Sequence, residues 1–531
     1  MSTARELAET PSQNTSQTTS VDVVPQTPPP TALGAQEGDA APRLLEIPRA
    51  HRVFVNRNLR LDKIEMVGFD MDYTLALYNQ ARIEELSIRA TLDKLVTAKG
   101  YPEAIRGLAY DPQLALRGLV VDRENGNVFK PDRYGYPGRA RHGLTTLERE
   151  AISELYQRER TRLSNRRYAW IDTLFALPEA VLYAGLVDYF DRTGASAGAG
   201  APVAKPDYNT MWEHIRECID LAHRDGSIKT IVGAQLASYI VRDEALAETL
   251  HKFRSSGKRL FLLTNSAWDY TSQVMSYLLD GALAAYPNWK SYFDIVVVSA
   301  AKPEFFTHEH PFVELDGAGD PTTRANVGAG PFQRGRVYQG GNLKAFEERA
   351  RTSGDRILFV GDHIYGDMLR SRKSSNWRTA MVLQEMEHEV ATYDRLRGEL
   401  AKLDRLDAEL IHVDAELNER QSSLRALQKL GDHTPGSDQV VDARRSVKAM
   451  IETLRKALRA ATAQHRTLES EIDHRFNPYW GPLFREGYEI SKFGEQVEAY
   501  ACVYTSRVSN FRFYSPMQYF RGPRDRMPHE R

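Results

Sequence analysis

The sequence has little cysteine, almost no net charge and no long apolar run. Its 531 residues include only two cysteines, Cys218 and Cys502, which lie far apart and lack the spacing of metal ligands. We therefore expect neither a disulfide framework nor a zinc site, and this cysteine usage is typical of a reducing, cytoplasmic compartment. The 70 Lys and Arg residues nearly balance the 71 Asp and Glu residues, which is not the charge of a polycation that coats nucleic acid.

Membrane-directing segments are also not evident. No stretch approaches the ~18 uninterrupted apolar residues that a membrane span needs, and the first residues lack the apolar core of a signal peptide. Residues 1–45 contain no Phe, Tyr or Trp and carry three consecutive prolines at 28–30, so we expect a disordered tail there. These features predict a globular protein with no membrane or nucleic-acid partner.

Strand-like and helix-like segments alternate in the rest of the chain. This pattern is typical of an α/β fold with a mostly parallel sheet and helices on both faces. A hairpin is predicted around the turn at 124–127, between LVVD and NVFKP. The predicted strands are 64–69, 259–263, 295–299 and 357–360, and the predicted helices are 83–99, 145–186 and 208–223.

A heptad pattern begins near residue 385. Leucines recur every seven residues, and after a break at 431–438 a second apolar pattern follows, which together predict two long helices folded as a hairpin. The hairpin could be an antiparallel prop packed on the rest of the fold, or an arm for self-association. The repeated leucines are Leu396, Leu403, Leu410, Leu417 and Leu424.

Two carboxylates stand at the end of the first predicted strand. Asp70 and Asp72 directly follow the apolar run 64–69, and functional groups of parallel sheets collect where strands end. Like charges this close repel each other, and a cation nearby relieves that cost. On its own the Asp-x-Asp-x-Thr pattern is also compatible with a capped loop.

Three further strand ends carry complementary groups. Thr264, Asn265 and Ser266 offer hydroxyl and amide donors suited to phosphate oxygens. Lys302 follows the next strand and can neutralise negative charge. Asp362 and Asp367 follow a fourth strand, and such carboxylates suit Mg²⁺, which prefers oxygen ligands.

The four segments, in this order, resemble the motifs of the haloacid dehalogenase (HAD) superfamily. The resemblance implies that Asp70 is a nucleophile that forms an aspartyl-phosphate, with Asp72 as general acid and then general base. Thr264, Asn265 and Lys302 would hold the transferring phosphoryl group, and Asp367 would support the site. Asp70, Asp362 and the backbone carbonyl of Asp72 would bind Mg²⁺.

The stretch of about 190 residues between Asp72 and Thr264 is too long for a simple crossover, and the resemblance implies an inserted cap. We therefore expect a HAD-like Rossmannoid sheet, a cap domain and a long helical hairpin near the C-terminus. The expected divisions are a tail at 1–45, core at 46–140, cap at 141–240, core at 241–384, helical hairpin at 385–475 and an aromatic-rich segment packed on the core at 476–531.

Further segments narrow the resemblance to the cytosolic purine 5′-nucleotidases that prefer IMP and GMP. They run in order from about residue 50 to 530 and include FVNRNL, GFDMDYTLA, RGLVVD, DTLFALPE, DGSIK, LLTNSAWDYT, VYQGGN, GDHIYGDML and MPHE. The resemblance implies a Mg²⁺-dependent nucleotidase that also transfers phosphoryl groups to nucleosides. Other possibilities are a HAD phosphatase for a sugar phosphate or a polynucleotide end, and a catalytically silent nucleotide sensor or scaffold.

The same resemblance places the substrate in the cap. Phe175 would stack on the base, although it also fits a plain core position. Arg216, Asp220 and His223 share one face of a predicted helix and would contact the nucleoside, with Lys229 and Ser266 near the substrate. Ala176 and Arg224 depart from the family's usual residues, so base preference follows less directly than reaction type.

Family members also respond to nucleotides and form tetramers. Arg162, Asp172, Tyr365 and Lys373 match the effector neighbourhood approximately, which implies ATP or another nucleotide as an effector. The heptad helices and the resemblance together predict a homo-oligomer.

Overall fold

The strand Met66–Phe69 lies at the centre of the fold and is buried on both faces, as its unbroken apolar run predicts. A computed structural model describes residues 47–156, 165–193, 205–316, 330–369, 375–433 and 438–530. All of these belong to one unit, Ile47–Arg531, and the predicted tail at 1–45 lies outside the described residues.

Nine strands of the described residues form the central sheet. Seven of them are parallel, and the first and last in the spatial order are antiparallel edge strands. Their order across the sheet is Phe54–Val55, Val503–Thr505, Arg378–Val382, Ile357–Gly361, Met66–Phe69, Arg259–Leu263, Ile295–Val298, Val337–Gly340 and Phe312–Leu315.

Alternate side chains of these strands enter two separate apolar cores. Val67 and Leu262 pack into the core on one face, whereas Met66 and Phe261 pack into the core on the other. Helix residues such as Val274 and Phe346 complete the two cores, so helices cover both faces of the sheet. The expected α/β sheet with helices on both faces is confirmed.

The helices vary in length from one turn to about ten. Those of the described residues are Gln80–Lys99, Arg149–Tyr156, Leu177–Thr193, Tyr208–Arg224, Lys229–Ala234, Leu236–Tyr239, Leu246–Ser255, Trp268–Leu279, Leu343–Ala350, Met386–Arg395, Arg397–His433, Asp438–Phe476 and Lys492–Tyr500. No helix of the described residues is long and apolar enough to cross a membrane.

A second, antiparallel sheet contains the predicted hairpin. Its order is Thr145–Thr146, Pro137–His142, Asn127–Pro131, Leu119–Asp122 and Tyr168–Ile171. Within the predicted helical stretch 145–186, Arg149–Tyr156 is a helix and Leu177–Thr193 begins one. The prediction is wrong for Tyr168–Ile171, which pairs as a strand with Leu119–Asp122. This pairing buries Tyr168 and Ile171, a tertiary gain that outweighs the local helical pattern. The expected division at 140/141 falls inside the strand Pro137–His142.

Three helices pack against one another beside the first motif. Gln80–Lys99 contacts both Leu177–Thr193 and Tyr208–Arg224, which also contact each other. Two of the three belong to the segment predicted as a cap, and the cap assignment stays a prediction.

The two long helices form the predicted hairpin. Asp407 pairs with His465, and Arg444 Nε donates to the Leu427 carbonyl at 3.0 Å, so the helices run antiparallel. At its base Phe476 packs on Tyr393, with ring centroids 4.7 Å apart. The chain then returns to the core: Val503–Thr505 joins the central sheet and Tyr519–Phe520 pairs with Leu59–Arg60. Whether the hairpin serves as a prop or as an arm stays open.

Gly68 is the point where the central strand tolerates no side chain. A Cβ there would lie 2.0 Å from the ring of Phe261, which is fully buried and packs on Phe346. We expect Gly68→Ala to destabilise the protein by about 1–3 kcal/mol or more through overpacking. The thermal unfolding midpoint checks this. Gly398→Ala is the matched control, since open space surrounds that helical position and its midpoint should not fall.

Candidate active site

The four predicted motifs converge at one edge of the central sheet. Asp362, Asp70, Thr264 and Lys302 follow four strands that are neighbours in the sheet and run parallel. Because parallel strands end at the same edge, their polar side chains meet there. Segments nearly 300 residues apart in the chain thus supply one site.

Lys302 stands between two of the carboxylates. Its Nζ lies 2.7 Å from Asp367 Oδ1 and 3.0 Å from Asp70 Oδ1, and its side chain is 2 % exposed. Burial alone would lower the pKa of Lys302, but Asp367 and Asp70 outweigh it and raise that pKa above its ordinary value. Lys302 therefore places its ammonium group between Asp70 and Asp367 at the centre of the site.

The carboxylates exceed the positive charge available to them. Burial is the main cause that raises the pKa of Asp70 well above its usual range, and Lys302 opposes it. Burial and Asp367 raise the pKa of Asp362 to about 7. Repulsion between the neighbouring carboxylates adds to the effect of burial on both pKa values.

A divalent cation fits this deficit. Asp70, Asp362 and Asp367 each offer an oxygen, and these oxygens lie within 4.8 Å of one another. Asp362 Oδ2 is buried without a hydrogen-bond partner among the described residues. The donor set is all oxygen, as Mg²⁺ prefers.

A third carboxylate joins the two that were expected at the candidate cation site. Asp367, expected only to support the site, belongs to the group of three carboxylates. The carboxylate of Asp72 points elsewhere: Tyr78 Oη donates to its Oδ1 at 2.6 Å and Ser266 Oγ donates to its Oδ2 at 2.7 Å. The expected contribution of Asp72 to the metal, through its carbonyl, stays a prediction.

Asn265, in the segment after the strand Arg259–Leu263, holds the segment that carries Lys302 in place. Asn265 Nδ2 donates to the Lys302 carbonyl at 2.8 Å, and Asn265 Oδ1 accepts from the Lys302 amide at 2.6 Å. The Asn265 side chain therefore positions Lys302, while Thr264 is fully buried and accepts from the Ser266 amide. The expected contacts of Thr264 and Asn265 with a phosphoryl group stay predictions.

Backbone strain is concentrated where these strands end. Tyr73, Ser299 and Ala301 have φ values of 54°, 46° and 55°, in the left-handed region. Such conformations cost roughly 1–3 kcal/mol each and persist only where the surroundings impose them. Gly361 is constrained by packing instead, because a Cβ there would lie 2.4 Å from the carboxylate of Asp367.

Arg117 is a site residue that sequence reasoning missed. It is fully buried, and its guanidinium binds both oxygens of Glu385 at 2.6 Å while Nη1 donates to the Asp362 carbonyl at 2.9 Å. This bidentate pair anchors the loop that carries Asp362. The signal was present, because Arg117 begins the RGLVVD segment, but the pattern did not reveal its partner.

Three of the predicted substrate residues gather beside Asp72. The half-buried ring of Phe175 packs edge-on against Tyr73, with centroids 4.6 Å apart, and against His223 at 6.1 Å. Lys229 Nζ lies 5.4 Å from the centre of the Tyr270 ring. Burial is the main cause that lowers the pKa of His223, and the positive charge of Lys229 lowers it further.

Arg216 and Asp220 have their own partners. Arg216 Nη1 donates to Glu179 at 2.6 Å, and Arg216 lies 3.9 Å from Asp220 one helical turn away. Burial raises the pKa of Glu179 to about 7 against the opposing effect of Arg216. No local sequence pattern predicts that Glu179 binds this arginine.

Of the four predicted effector residues, only Asp172 has a described side chain. It lies 3.3 Å from His363 Nε2, next to Asp362, and raises the pKa of that imidazole to about 9 although burial opposes this. Arg162 and Lys373 lie outside the described residues, as does the side chain of Tyr365. The effector site stays a prediction.

Comparison with known proteins identifies the family. A model described as the 5′ nucleotidase family matches residues 53–531. The chain belongs to this family. The membership confirms the expected relationship to 5′-nucleotidases and the expectation of a hydrolase.

Individual relatives are similar at moderate identity. A 5′-nucleotidase domain-containing protein of Dictyostelium discoideum is 27% identical over 486 residues, covering 90% of this chain and 74% of that protein. The 5′-nucleotidase domain-containing proteins 2 of Homo sapiens and Rattus norvegicus are 31% and 30% identical over 354 residues. Those matches cover 64% of this chain, and only 64% and 60% of the mammalian proteins.

Two solved structures also resemble the chain. CbbY from Rhodobacter sphaeroides in complex with phosphate has a TM-score of 0.21 and 14% identity. The 2-haloacid dehalogenase of Pseudomonas syringae has a TM-score of 0.22 and 16% identity. Each match covers 60% of this chain and 86% of the other.

Metal binding at the three carboxylates should depend on pH. Without metal, the raised pKa of Asp362 means that the folded protein holds this proton more tightly than the unfolded chain. This contribution to stability is present at low pH and is lost as pH rises through about 7. The ionised carboxylate that remains at higher pH binds cations better than the protonated one. We expect the increase in unfolding temperature on adding Mg²⁺ to grow from pH 6 to pH 8.

Differential scanning fluorimetry with and without Mg²⁺ checks this prediction. Asp362→Asn should remove the Mg²⁺-dependent increase. Asp269→Asn should retain it, because Asp269 is exposed and lies in the helix Trp268–Leu279. An increase that is equal at both pH values, or that survives Asp362→Asn, contradicts the assignment.

Proposed function

We propose that this protein is a Mg²⁺-dependent 5′-nucleotidase that hydrolyses purine nucleoside monophosphates, IMP and GMP above others, through an aspartyl-phosphate. The observation that carries the proposal is the pairing of Asp70 with Lys302 at 3.0 Å inside a group of carboxylates. A phosphate dianion needs positive charge beside its nucleophile, and Lys302 with a cation supplies it.

The chemistry gives each carboxylate a part in the reaction. An oxygen of Asp70 attacks phosphorus as the bond to the nucleoside oxygen breaks, and Asp72 donates its proton to that oxygen. Asp72 then takes a proton from water, whose oxygen attacks the phosphorus and releases phosphate and the Asp70 carboxylate. Mg²⁺ held by Asp70, Asp362 and Asp367 would neutralise phosphate charge.

The substrate side rests on the residues beside Asp72. Phe175 offers a half-buried ring, and His223 and Lys229 offer polar contacts at the place where the leaving group would lie. Arg216 has donors beyond its bond to Glu179 that could meet a 6-oxo group, which the amino group of adenine would not accept from.

Further parts of the proposal rest on the family resemblance. They are phosphoryl transfer to nucleosides, activation by ATP or another nucleotide near Asp172, and a homo-oligomer. Cys218 and Cys502 are both buried free thiols, which supports a cytoplasmic location.

Removal of the nucleophile tests the reaction. We expect Asp70→Asn to lower kcat for IMP by more than about 10³-fold, because an amide does not form the acyl-phosphate. Phosphate release with Mg²⁺ measures this. Asp280→Asn, at an exposed position just after the helix Trp268–Leu279, should keep wild-type activity. Substantial turnover by Asp70→Asn would exclude Asp70 as the nucleophile.

The cap residues are tested by a substrate panel. We expect Arg216→Lys to raise KM for IMP about tenfold and to change kcat little, because lysine keeps a charge for Glu179 but loses the planar fork. KM for a sugar phosphate should not change. Arg192→Lys, an exposed arginine of a neighbouring helix, is the control. If the wild-type enzyme shows no preference for IMP and GMP over AMP and sugar phosphates, it is a phosphatase for another ester.

A further inference from the structure

Both oxygens of the Asp72 carboxylate are occupied by hydroxyl donors from distant parts of the chain. Tyr78 Oη donates to Oδ1 at 2.6 Å and Ser266 Oγ donates to Oδ2 at 2.7 Å. A carboxylate held at both oxygens cannot rotate without losing a hydrogen bond. The two donors therefore fix the plane of Asp72 and leave its remaining lone pairs in defined directions.

A third hydroxyl determines the direction of this network. Tyr270 Oη lies 2.7 Å from Tyr78 Oη. Each tyrosine has one hydroxyl proton, and that of Tyr78 is directed to Asp72, so Tyr270 must be the donor in the bond between the two tyrosines. The hydrogen bonds run in one direction, from Tyr270 to Tyr78 to Asp72.

Tyr78 is itself rigidly placed. Its side chain is buried, its ring packs on Tyr73 with centroids 4.9 Å apart, and its carbonyl accepts from Gln384 Nε2 at 2.9 Å. Its short strand pairs with Ile240–Val241. Packing and backbone pairing therefore define the hydroxyl position before any substrate binds.

Tyr270 connects this network to the substrate side. It lies in the helix Trp268–Leu279, directly after the second motif, and Lys229 Nζ lies over its ring at 5.4 Å. The network thus extends from Asp72 to a residue proposed to contact the nucleotide.

We propose that Tyr78, supported by Tyr270, is a positioning residue that directs the proton of Asp72 at the leaving oxygen of the substrate. The inference rests on the proposed function, which makes Asp72 the general acid. Proton transfer requires the acid within about 2.6–3.2 Å of the leaving oxygen, and a misplacement of about 1 Å can cost 10²-fold in rate.

Two substrates with different leaving groups distinguish a positioning role of Tyr78 from a role in core packing alone. When the bond between phosphorus and a nucleoside oxygen breaks, the electron pair stays on an alkoxide oxygen, which must take the proton of Asp72. When the ester is p-nitrophenyl phosphate, the phenolate is stable and leaves without that proton. A mispositioned acid therefore slows the first reaction and spares the second.

The test compares Tyr78→Phe, Tyr270→Phe and wild-type protein in single turnovers with enzyme in excess. The first phosphoryl transfer is followed by release of inosine from IMP and of p-nitrophenolate from p-nitrophenyl phosphate, so that the later water step does not enter. Tyr292→Phe is the matched control, because the Tyr292 hydroxyl is buried without a partner among the described residues. Unfolding temperatures of all variants are measured alongside.

We expect Tyr78→Phe to slow inosine release by about 10–100-fold and nitrophenolate release by less than about threefold. Tyr270→Phe should show the same selectivity with a smaller effect, and Tyr292→Phe should change neither rate. Equal losses for both substrates would indicate a structural role and overturn the proposal, as would no loss for either.

A failure of the proposed function gives a different result. Wild-type protein that hydrolyses p-nitrophenyl phosphate but no nucleotide would contradict the nucleotidase assignment, and the same comparison then uses glycerol 1-phosphate as the alkyl ester. A selective loss with glycerol phosphate would support the positioning role of Tyr78. If the wild-type protein hydrolyses no alkyl phosphate, the positioning role of Tyr78 is overturned, because no leaving oxygen then takes a proton from Asp72.

Discussion

The structure depends on keeping several carboxylates together at one edge of a sheet. Asp70, Asp362 and Asp367 lie with their oxygens within 4.8 Å, and the Nζ of Lys302 is within 3.0 Å of two of them. Such an arrangement is unfavourable unless positive charge compensates it, and the fold supplies that charge through a buried lysine and a site suited to a cation. The surrounding backbone strain and tight packing are the conditions under which this cluster can persist.

Two buried or partly buried hydrogen-bond networks hold the segments that carry Lys302 and Asp362. Asn265 binds both backbone groups of Lys302. Arg117 donates directly to the carbonyl of Asp362, while its other nitrogens bind Glu385. Asn265 follows the strand Arg259–Leu263 of the central sheet, and Arg117 lies just before the strand Leu119–Asp122 of the second sheet. Hydrogen bonds to rigid elements therefore fix Lys302 and the loop that carries Asp362.

The surroundings of Asp72 differ from those of Asp70. Asp72 is surrounded by neutral hydroxyls, and Phe175, His223 and Lys229 line the adjoining region. Three carboxylates and Lys302 are thus grouped around Asp70, while hydroxyl and aromatic groups contact or adjoin Asp72. The separation of Asp70 from Asp72 by one residue lets a single turn place one carboxylate in each environment.

The sequence by itself determined the parallel sheet, the four strand ends that carry Asp70, Thr264, Lys302 and Asp362, and the family, because apolar runs followed by polar residues are local patterns. It misjudged residues 145–186, since Tyr168–Ile171 is a strand only through its pairing with Leu119–Asp122. Tertiary structure alone decided that Arg117 binds Glu385, that Glu179 binds Arg216 and that Tyr78 binds Asp72. Which polar side chains become partners depends on distances between segments far apart in sequence, and no local pattern encodes those distances.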